Sequence, residues 1–267
     1  MRLLSGNEMK KHLVLCLFFL SSCNSNSLLH VPLSDEEISL PYHSEEEEII
    51  MHMAYTLSYS EEHEQALWVA YTLTAEQASA DMERTDDYRA DPAVENGSAS
   101  LDDYSGSGYD RGHLAPAGDM EWDETAMSES FFLSNMSPQL AGFNRYIWKD
   151  LEADVRDSAK TNGKIHIVTG PILTESYPPL ATIGENNVSV PSHYYKVILD
   201  YTQPAIKGIG FILANESSDE PLSAFARTID EVEIETGIDF YHMLPDSIEN
   251  DVESNINLDD WFGLLFD

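Results

Sequence analysis

A short glycine-rich segment, residues 106–116, contains the residue types that phosphodiester hydrolysis requires. Within it, Asp110, Arg111 and His113 bring a carboxylate, a guanidinium and an imidazole within four positions. An imidazole can take a proton from water near neutral pH, and a guanidinium can pair with two phosphate oxygens at once. Taken singly, each of these residues is more often a solvated or packed side chain. The cluster therefore indicates a candidate active site, but its spacing does not name the reaction.

The sequence Asp110-Arg111-Gly112-His113 resembles the signature of the DNA/RNA non-specific endonucleases. Further blocks of that family occur in the same order, at residues 68–74, 134–139, 144–152, 169–171 and 190–196, and together they span about residues 54–244. Several ordered motifs are far more specific than one four-residue match. The resemblance implies a sugar-non-specific endonuclease that hydrolyses phosphodiester bonds of DNA and RNA.

The resemblance also implies a role for each catalytic residue. His113 would be the general base that activates water, and Arg111 would grip the scissile phosphate of the substrate. Asn144 would be the sole direct protein ligand of Mg²⁺, with Mn²⁺ or another divalent cation as the alternative; Mg²⁺ suits such a site because it keeps several water ligands. Glu152 would hold those waters, and Asn135 would help to order the site.

One arginine departs from the family pattern, and the position of another is not fixed by it. The family commonly has Gln after the metal-binding Asn, whereas Arg145 stands here, where its charge could help to bind phosphate or could repel Mg²⁺. The family also has a second substrate-binding arginine ahead of an aromatic residue. Arg84, ahead of Tyr88, is the candidate, and Arg89 is its rival. Either arginine could instead be a solvated loop charge.

Some of these residues also have a purely structural interpretation. Asn144 could be a helix N-cap, and Glu152 could be an exposed ion-pair partner. His193 and His242 lie in strand-like and turn-like segments, so we predict packing roles for both.

The pattern of apolar residues predicts an α+β fold, because strands and helices occur without βαβ alternation. The predicted strands are residues 66–73, 131–134, 165–169, 193–200 and 206–214, and residues 84–110 are predicted as a long loop. Helices are predicted at residues 144–161 and 222–235, ending at Gly163 and Gly237. The resemblance implies a central antiparallel sheet with an embedded ββα-metal finger motif.

The N-terminus is predicted to be an export signal. A positively charged start and a short apolar run are followed by Leu20-Ser21-Ser22-Cys23, which resembles a bacterial lipobox. We therefore predict lipid attachment at Cys23 and a location in the bacterial cell envelope, facing the periplasm or the exterior. A plain signal peptide or an uncleaved anchor is the alternative. The predicted organisation is a signal peptide (1–22), an acidic tether (23–53), a nuclease domain (54–244) and an acidic tail (245–267).

The charge of the chain weighs against binding to nucleic acid, since the formal net charge is −34 and DNA is densely anionic. However, eight of the 14 Lys and Arg residues fall between residues 84 and 164, and a local basic patch can govern docking. A salt-rich habitat would explain the acidity equally well.

Three functions remain open from the sequence. The first is the active nuclease, with DNA and RNA as substrates and the membrane contacted only through the N-terminal lipid. The second is a catalytically degenerate lipoprotein that binds nucleic acid at the cell surface. The third is an enzyme that hydrolyses small phosphodiesters. The intact set of His113, Asn144, Glu152 and Arg111 favours the nuclease, and the oligomeric state is not predicted.

Overall fold

The computed structural model of the protein describes residues 33–265, so the predicted signal segment and Cys23 lie outside the described residues. The strands are β1 (Glu48–Met51), β2 (Thr56–Ser60), β3 (Gln65–Thr74), β4 (Asp110–His113), β5 (Met136–Gln139), β6 (Lys164–Ile172), β7 (Ala181–Ile183), β8 (Val188–Val190), β9 (His193–Asp200), β10 (Lys207–Ala214) and β11 (Ala226–Arg227). The helices are α1 (Asp35–Ser39), α2 (Leu101–Tyr104), α3 (Glu124–Glu129), α4 (Lys149–Asn162), α5 (Ile229–Thr236), α6 (Asp246–Ser254) and α7 (Leu258–Leu265). A π-helical segment, Phe143–Trp148, runs directly into α4.

Seven strands form one central sheet in the order β1-β2-β3-β6-β9-β10-β11, and every neighbouring pair is antiparallel. Two small hairpins, β4-β5 and β7-β8, lie outside this sheet. The prediction of an α+β fold with a central antiparallel sheet is therefore confirmed.

Both faces of the central sheet are covered, because alternate residues of its inner strands point to opposite cores. On β9, Tyr194 and Ile198 join the core that contains α4, whereas Tyr195, Val197 and Leu199 join the core that contains α1, α5 and α6. Burial on both faces explains why the central strands read as nearly continuous apolar runs.

The ββα finger consists of the β4-β5 hairpin followed by the Phe143–Trp148 segment and α4. In the hairpin, Asp110 is opposite Gln139 and His113 is opposite Met136. Asn144 lies at the start of the helix that follows. The motif therefore brings the end of β4 close to the first turns of the catalytic helix.

Four of the five predicted strands are confirmed as β3, β6, β9 and β10, and the helix predicted at residues 144–161 is confirmed with a π-helical start. The strand predicted at residues 131–134 is wrong. Phe132 makes only an isolated bridge to Arg89, a 3₁₀ turn covers Leu133–Asn135, and the strand begins at Met136. A short buried apolar run does not distinguish a strand from a buried turn.

The helix predicted at residues 222–235 begins later than expected. Residues Leu222–Phe225 form a 3₁₀ turn, and Ala226–Arg227 pairs with β10 as the edge strand β11. The helix α5 begins after Thr228, whose hydroxyl accepts a hydrogen bond from the Glu231 backbone in a capping box. It ends, as predicted, at Gly237, which adopts a left-handed conformation with φ 74°.

The predicted tether and tail both contribute to the packed domain. Ile38 of α1 is buried, and Ile50 of β1 pairs with Leu57 of β2 within the central sheet. The structure thus corrects the tether prediction from Asp35 onward, because buried apolar residues are interspersed with the acidic ones. Val252 of α6 and Trp261 of α7 are likewise buried against the two cores.

In the part of the chain that the structure describes, no helix is long and apolar enough to cross a membrane.

Candidate active site

A polar cleft of about 420 Å³ lies where β4, the Phe143–Trp148 segment and α4 meet. Its lining consists of Arg84, Tyr88, Arg111, His113, Pro116, Ala117, Gly118, Glu121, Asn144, Arg145, Lys149, Glu152 and Arg156. Of the six nuclease-site residues predicted from the sequence, five therefore meet here: Arg84, Arg111, His113, Asn144 and Glu152. A second cavity of about 580 Å³ shares Tyr88, Arg111, Asn144 and Arg145 with the cleft, so the concave surface continues beyond it.

His113 lies at the end of β4 and is almost fully buried, with 8% of its surface exposed. Its ring packs edge-on against Phe131, with centroids 5.0 Å apart, and lies 5.9 Å from the Tyr88 ring. Its Nε2 is buried and has no hydrogen-bond partner among the described residues. Burial, with the nearby charges of Arg84 and Arg111, lowers the pKa of His113 to about 3. The imidazole is therefore neutral near pH 7, which is the form that a general base requires.

Asn135 lies behind the cleft rather than in its lining, and it is fully buried. Its side-chain oxygen accepts a hydrogen bond from the Ala115 backbone N–H at 2.9 Å. Its Nδ2 donates to the carbonyl oxygens of Ala115 and Ser130, both at 2.9 Å. These bonds fix the backbone two residues after His113.

Two arginines of the cleft stack on aromatic rings. The Arg111 guanidinium lies 4.2 Å from the Tyr88 ring centroid and makes no hydrogen bond or ion pair within residues 33–265. The Arg84 guanidinium lies 4.7 Å from the Phe131 ring centroid, and it donates to Asp86 at 2.6 Å and to the Tyr88 hydroxyl at 3.0 Å. Both guanidiniums are thereby held beside the imidazole.

Arg89, the rival of Arg84, points away from the cleft. Its Nη1 donates to Asp87 and to the Ser128 carbonyl oxygen at 2.9 Å, and its guanidinium lies 4.0 Å from the Phe132 ring centroid. The geometry favours Arg84 as the second cationic residue of the site.

Asn144 lies inside the π-helical segment, whose N-cap is Gly142, so it does not cap the helix. Its Nδ2 donates to Asp110 Oδ2 at 3.1 Å. This bond orients the amide. No described residue donates a hydrogen bond to its Oδ1.

Arg145, the departure from the family pattern, forms a two-point ion pair with Asp110. Its Nε donates to Asp110 Oδ2 at 2.8 Å and its Nη2 to Oδ1 at 2.6 Å. The hydrogen bonds from Arg145, and further contributions from Asn144 and Arg111, lower the pKa of Asp110. Asp110 therefore balances the charge that Arg145 adds beside Asn144.

Glu152 lines the cleft two turns beyond Asn144, above a layer of buried charges. Lys196 of β9 is fully buried, and its Nζ lies 4.9 Å from the Trp148 ring centroid without a hydrogen-bond partner in the described part of the chain. Burial raises the pKa of Glu152 and lowers that of Lys196, while the attraction between the two charges opposes both shifts. Asp119 accepts hydrogen bonds from Arg156 at 2.8 Å and from the Tyr71 hydroxyl at 2.7 Å.

Three cationic residues in or beneath the cleft were not assigned roles from the sequence. Lys149 and Arg156 line the cleft, and Lys196 lies beneath it. Sequence signals could have found two of them. Arg156 follows Glu152 by one helical turn, and Lys196 interrupts an apolar strand. His193 and His242 do not line the cleft; they contact Tyr177 and Tyr42, with ring centroids 4.6 Å and 5.5 Å apart.

The residues of the cleft fit a divalent cation. Asn144 Oδ1 and the Glu152 carboxylate face the same cavity, and neither is hydrogen-bonded to a described residue. Hard cations such as Mg²⁺ prefer oxygen ligands of these types. Asn144 would bind the ion directly, and Glu152 would hold its water ligands.

Comparisons with known proteins agree with this geometry. The sequence model of the family described as DNA/RNA non-specific endonuclease matches residues 39–247. The chain is 37% identical over 198 residues to Nuclease C1 of Cunninghamella echinulata var. echinulata, covering 67% of this chain and 79% of that one. It is 35% identical over 199 residues to the mitochondrial endonuclease G of Homo sapiens, covering 70% and 67%. A chain in the crystal structure of the EndoG/EndoGI complex superposes with a TM-score of 0.71 at 31% identity, covering 81% of this chain and 95% of that one.

Proposed function

The chain belongs to the DNA/RNA non-specific endonuclease family, and we propose that it hydrolyses phosphodiester bonds of DNA and RNA with His113 as its general base. The observation that carries the proposal is the neutral, buried imidazole whose Nε2 has no partner among the described residues, in a cleft lined by Arg84 and Arg111. Such a group is free to take a proton from water.

In the proposed reaction, His113 removes a proton from a water molecule as the water oxygen attacks phosphorus. The phosphorus–oxygen bond opposite the attacking oxygen breaks, and the leaving sugar oxygen takes a proton from solvent. Arg111 and Arg84 hold the phosphate and offset the negative charge that builds on its oxygens. Asn135 keeps the backbone after His113 in place, because two of its hydrogen bonds fix Ala115 and a third ties it to Ser130.

The nuclease acts with a divalent cation, for which we propose Mg²⁺, with Mn²⁺ as the alternative. Asn144 would hold the ion through Oδ1, in the orientation that Asp110 imposes, and Glu152 would hold its water ligands. When bound, the ion supplies Lewis-acid neutralisation of the phosphate charge.

Substrate binding would also adjust the basicity of His113. Arg84 and Arg111 both lower the pKa of the free imidazole, after the larger effect of burial. A phosphate bound between these arginines would offset their charges, so the pKa of His113 rises when the substrate is in place. The base is therefore unprotonated before binding and stronger after it.

The cleft supports a polyanionic substrate despite the net charge of −34. Arg84, Arg111, Arg145, Lys149 and Arg156 line it, against only two acidic residues, Glu121 and Glu152. The concave surface continues past Arg111 along Tyr104 and Tyr109, so it can contact more than one nucleotide. This extent favours a polymer over a small phosphodiester.

The proposal is tested by incubating the purified protein with supercoiled plasmid and with RNA, in Mg²⁺ or in EDTA. We expect cation-dependent degradation of both substrates, lost in His113→Ala and retained in His193→Ala, a matched control outside the cleft. Degradation by His113→Ala at the rate of the parent would exclude His113 as the base. Binding without cutting by the folded parent would favour the degenerate binding protein, and cleavage of small diesters alone would favour the third function.

For its location, we propose that the protein is lipid-anchored through Cys23 in a bacterial cell envelope, facing the periplasm or the exterior. The support is the sequence Leu20-Ser21-Ser22-Cys23 after a short apolar run. Some relatives carry mitochondrial names, so the test must be direct. Labelling with radioactive palmitate in a bacterial host should mark the parent and Cys16→Ser but not Cys23→Ser. Equal labelling of Cys23→Ser, or no labelling of the parent, would refute the anchor.

A further inference from the structure

A second cluster of potential ligands lies between α5 and α6, on the face of the central sheet opposite to α4. Carboxylate oxygens of Asp230, Glu233 and Glu253 all lie within 4.8 Å of one another. Asp230 and Glu233 are half-buried on α5, whereas Glu253 of α6 is only 6% exposed. None of the catalytic residues takes part in this cluster.

Glu253 is a buried carboxylate that the protein leaves unsatisfied. Its Oε1 is buried without a hydrogen-bond partner, and none of the three acids forms an ion pair with a described residue. Burial, followed by the nearby acids Glu233, Glu249, Asp230 and Asp239, raises the pKa of Glu253 to about 9. To ionise, Glu253 requires a counter-charge, and this cluster contains only acidic groups.

Packing holds the three carboxylates together. A Cβ placed on Gly208 of β10 would lie 2.6 Å from Ile229 of α5 and 2.9 Å from Val252 of α6, so both helices approach this strand closely. Glu233 is fixed further, because its Oε1 accepts a hydrogen bond from the Phe240 backbone N–H at 2.8 Å. The carboxylates therefore cannot separate without disturbing the core beneath them.

We propose that Asp230, Glu233 and Glu253 bind one calcium ion, which joins α5 to α6 and supplies the missing positive charge. A set of carboxylate oxygens with no nitrogen or sulfur ligand suits a hard cation. Oxygens within 4.8 Å of one another can share a Ca²⁺ ion, whose opposite ligands lie about 4.6–5.2 Å apart. Mg²⁺ usually keeps several waters instead of binding a set of protein carboxylates. The site is structural and independent of the catalytic cation.

The test compares thermal unfolding of the parent, Glu253→Gln and Asp251→Asn in EDTA and in CaCl₂. Asp251 is the matched control, since it is an exposed acid on the same helix. We expect Ca²⁺ at ten times its dissociation constant to raise the Tm of the parent and of Asp251→Asn by about 3–6 °C through this site. Glu253→Gln should lack this calcium-dependent increase.

Calorimetric titration with CaCl₂ gives a second measurement, in which the parent should bind one more ion than Glu253→Gln. An equal calcium response in the parent and in Glu253→Gln, by Tm and by stoichiometry, would overturn the proposal. If MgCl₂ at the same concentration raises the Tm of the parent as much as CaCl₂ does, and does not raise that of Glu253→Gln, the assignment to calcium is overturned.

Discussion

Gly112, inside the Asp-Arg-Gly-His sequence, has a packing role that can be separated from the chemistry around it. A methyl group on its Cα would overlap the side chain of Gln139, which lies on the partner strand β5, two residues beyond the Ser137 that pairs with Gly112. Gln139 is fully buried, so it has no open space into which to move. Overpacking of this kind destabilises proteins by about 1–3 kcal/mol. For a chain of this size, Gly112→Ala should therefore lower the Tm by about 2–12 °C.

A second substitution tests whether this overlap is the cause. Both atoms of the Gln139 amide are buried without a hydrogen-bond partner in the described residues, so Gln139→Ala removes no hydrogen bond. It also makes room for the added methyl. The double variant should recover most of the loss, which corresponds to a coupling energy of about 1–3 kcal/mol.

The assay is thermal unfolding followed by circular dichroism, with plasmid cleavage measured below the transition. Since the hairpin positions His113, Gly112→Ala should also cut more slowly, and the double variant should regain activity together with stability. A Gly112→Ala protein that melts with the parent, or a double variant that melts no higher than Gly112→Ala, would refute the argument from packing.

Three further predictions concern cationic residues and their partners. Arg84→Ala should lower kcat/KM by about 10- to 100-fold, from the loss of a charge-assisted contact with phosphate, while Arg89→Ala leaves it within about twofold; equal losses would contradict the choice of Arg84. Asp110→Asn should raise the Mg²⁺ concentration for half-maximal cleavage by up to about fivefold, since the positive charge of Arg145 then has no counter-charge. Adding Arg145→Gln should reverse this increase, and a double variant that still needs the higher concentration would contradict the explanation. Burial lowers the pKa of His166 to about 4 from 6.5, so its contribution to stability is complete above pH 6.5 and is lost as pH falls toward 4. Between pH 7 and 5 the urea-unfolding free energy of the parent should fall by about 2 kcal/mol more than that of His166→Gln, and parallel pH profiles would contradict this.

The central sheet was largely predictable because its strands are buried on both faces. β9 and β10 contain long apolar runs, and the sequence marks their bounds to within one residue. The hairpin strand β4 carries no such signal, since Asp110-Arg111-Gly112-His113 is mostly polar and its strand geometry depends on pairing with β5. Its place in the fold came from the resemblance of the motif to a family.

The residues of the candidate site could be predicted from the sequence, but the contacts between them could not. The sequence indicates His113, Asn144 and Glu152, yet the contact between Asp110 and Arg145 spans 35 positions along the chain and depends on the hairpin. The π-helical turn at Phe143–Trp148 was also missed, because its residues follow an ordinary helical period; such turns are frequent at functional sites. Lys196 carried a visible signal, a lysine within an apolar strand, but its partners became clear only when β9 and α4 were seen to pack.

The five cations that line the cleft, in a chain with a net charge of −34, have a consequence for association kinetics. At 0.01 M salt the Debye length is about 30 Å, so an approaching nucleic acid is repelled by the whole acidic surface before it reaches the cleft. At 0.1 M the Debye length falls to about 10 Å, which screens this distant repulsion while the contact ion pairs persist. At still higher salt those contacts weaken as well, because releasing the counterions of the phosphates into a more concentrated salt solution gains less free energy. The rate of productive encounter should therefore pass through a maximum at intermediate ionic strength, whereas a nuclease with a uniformly basic surface would slow from the lowest salt onward.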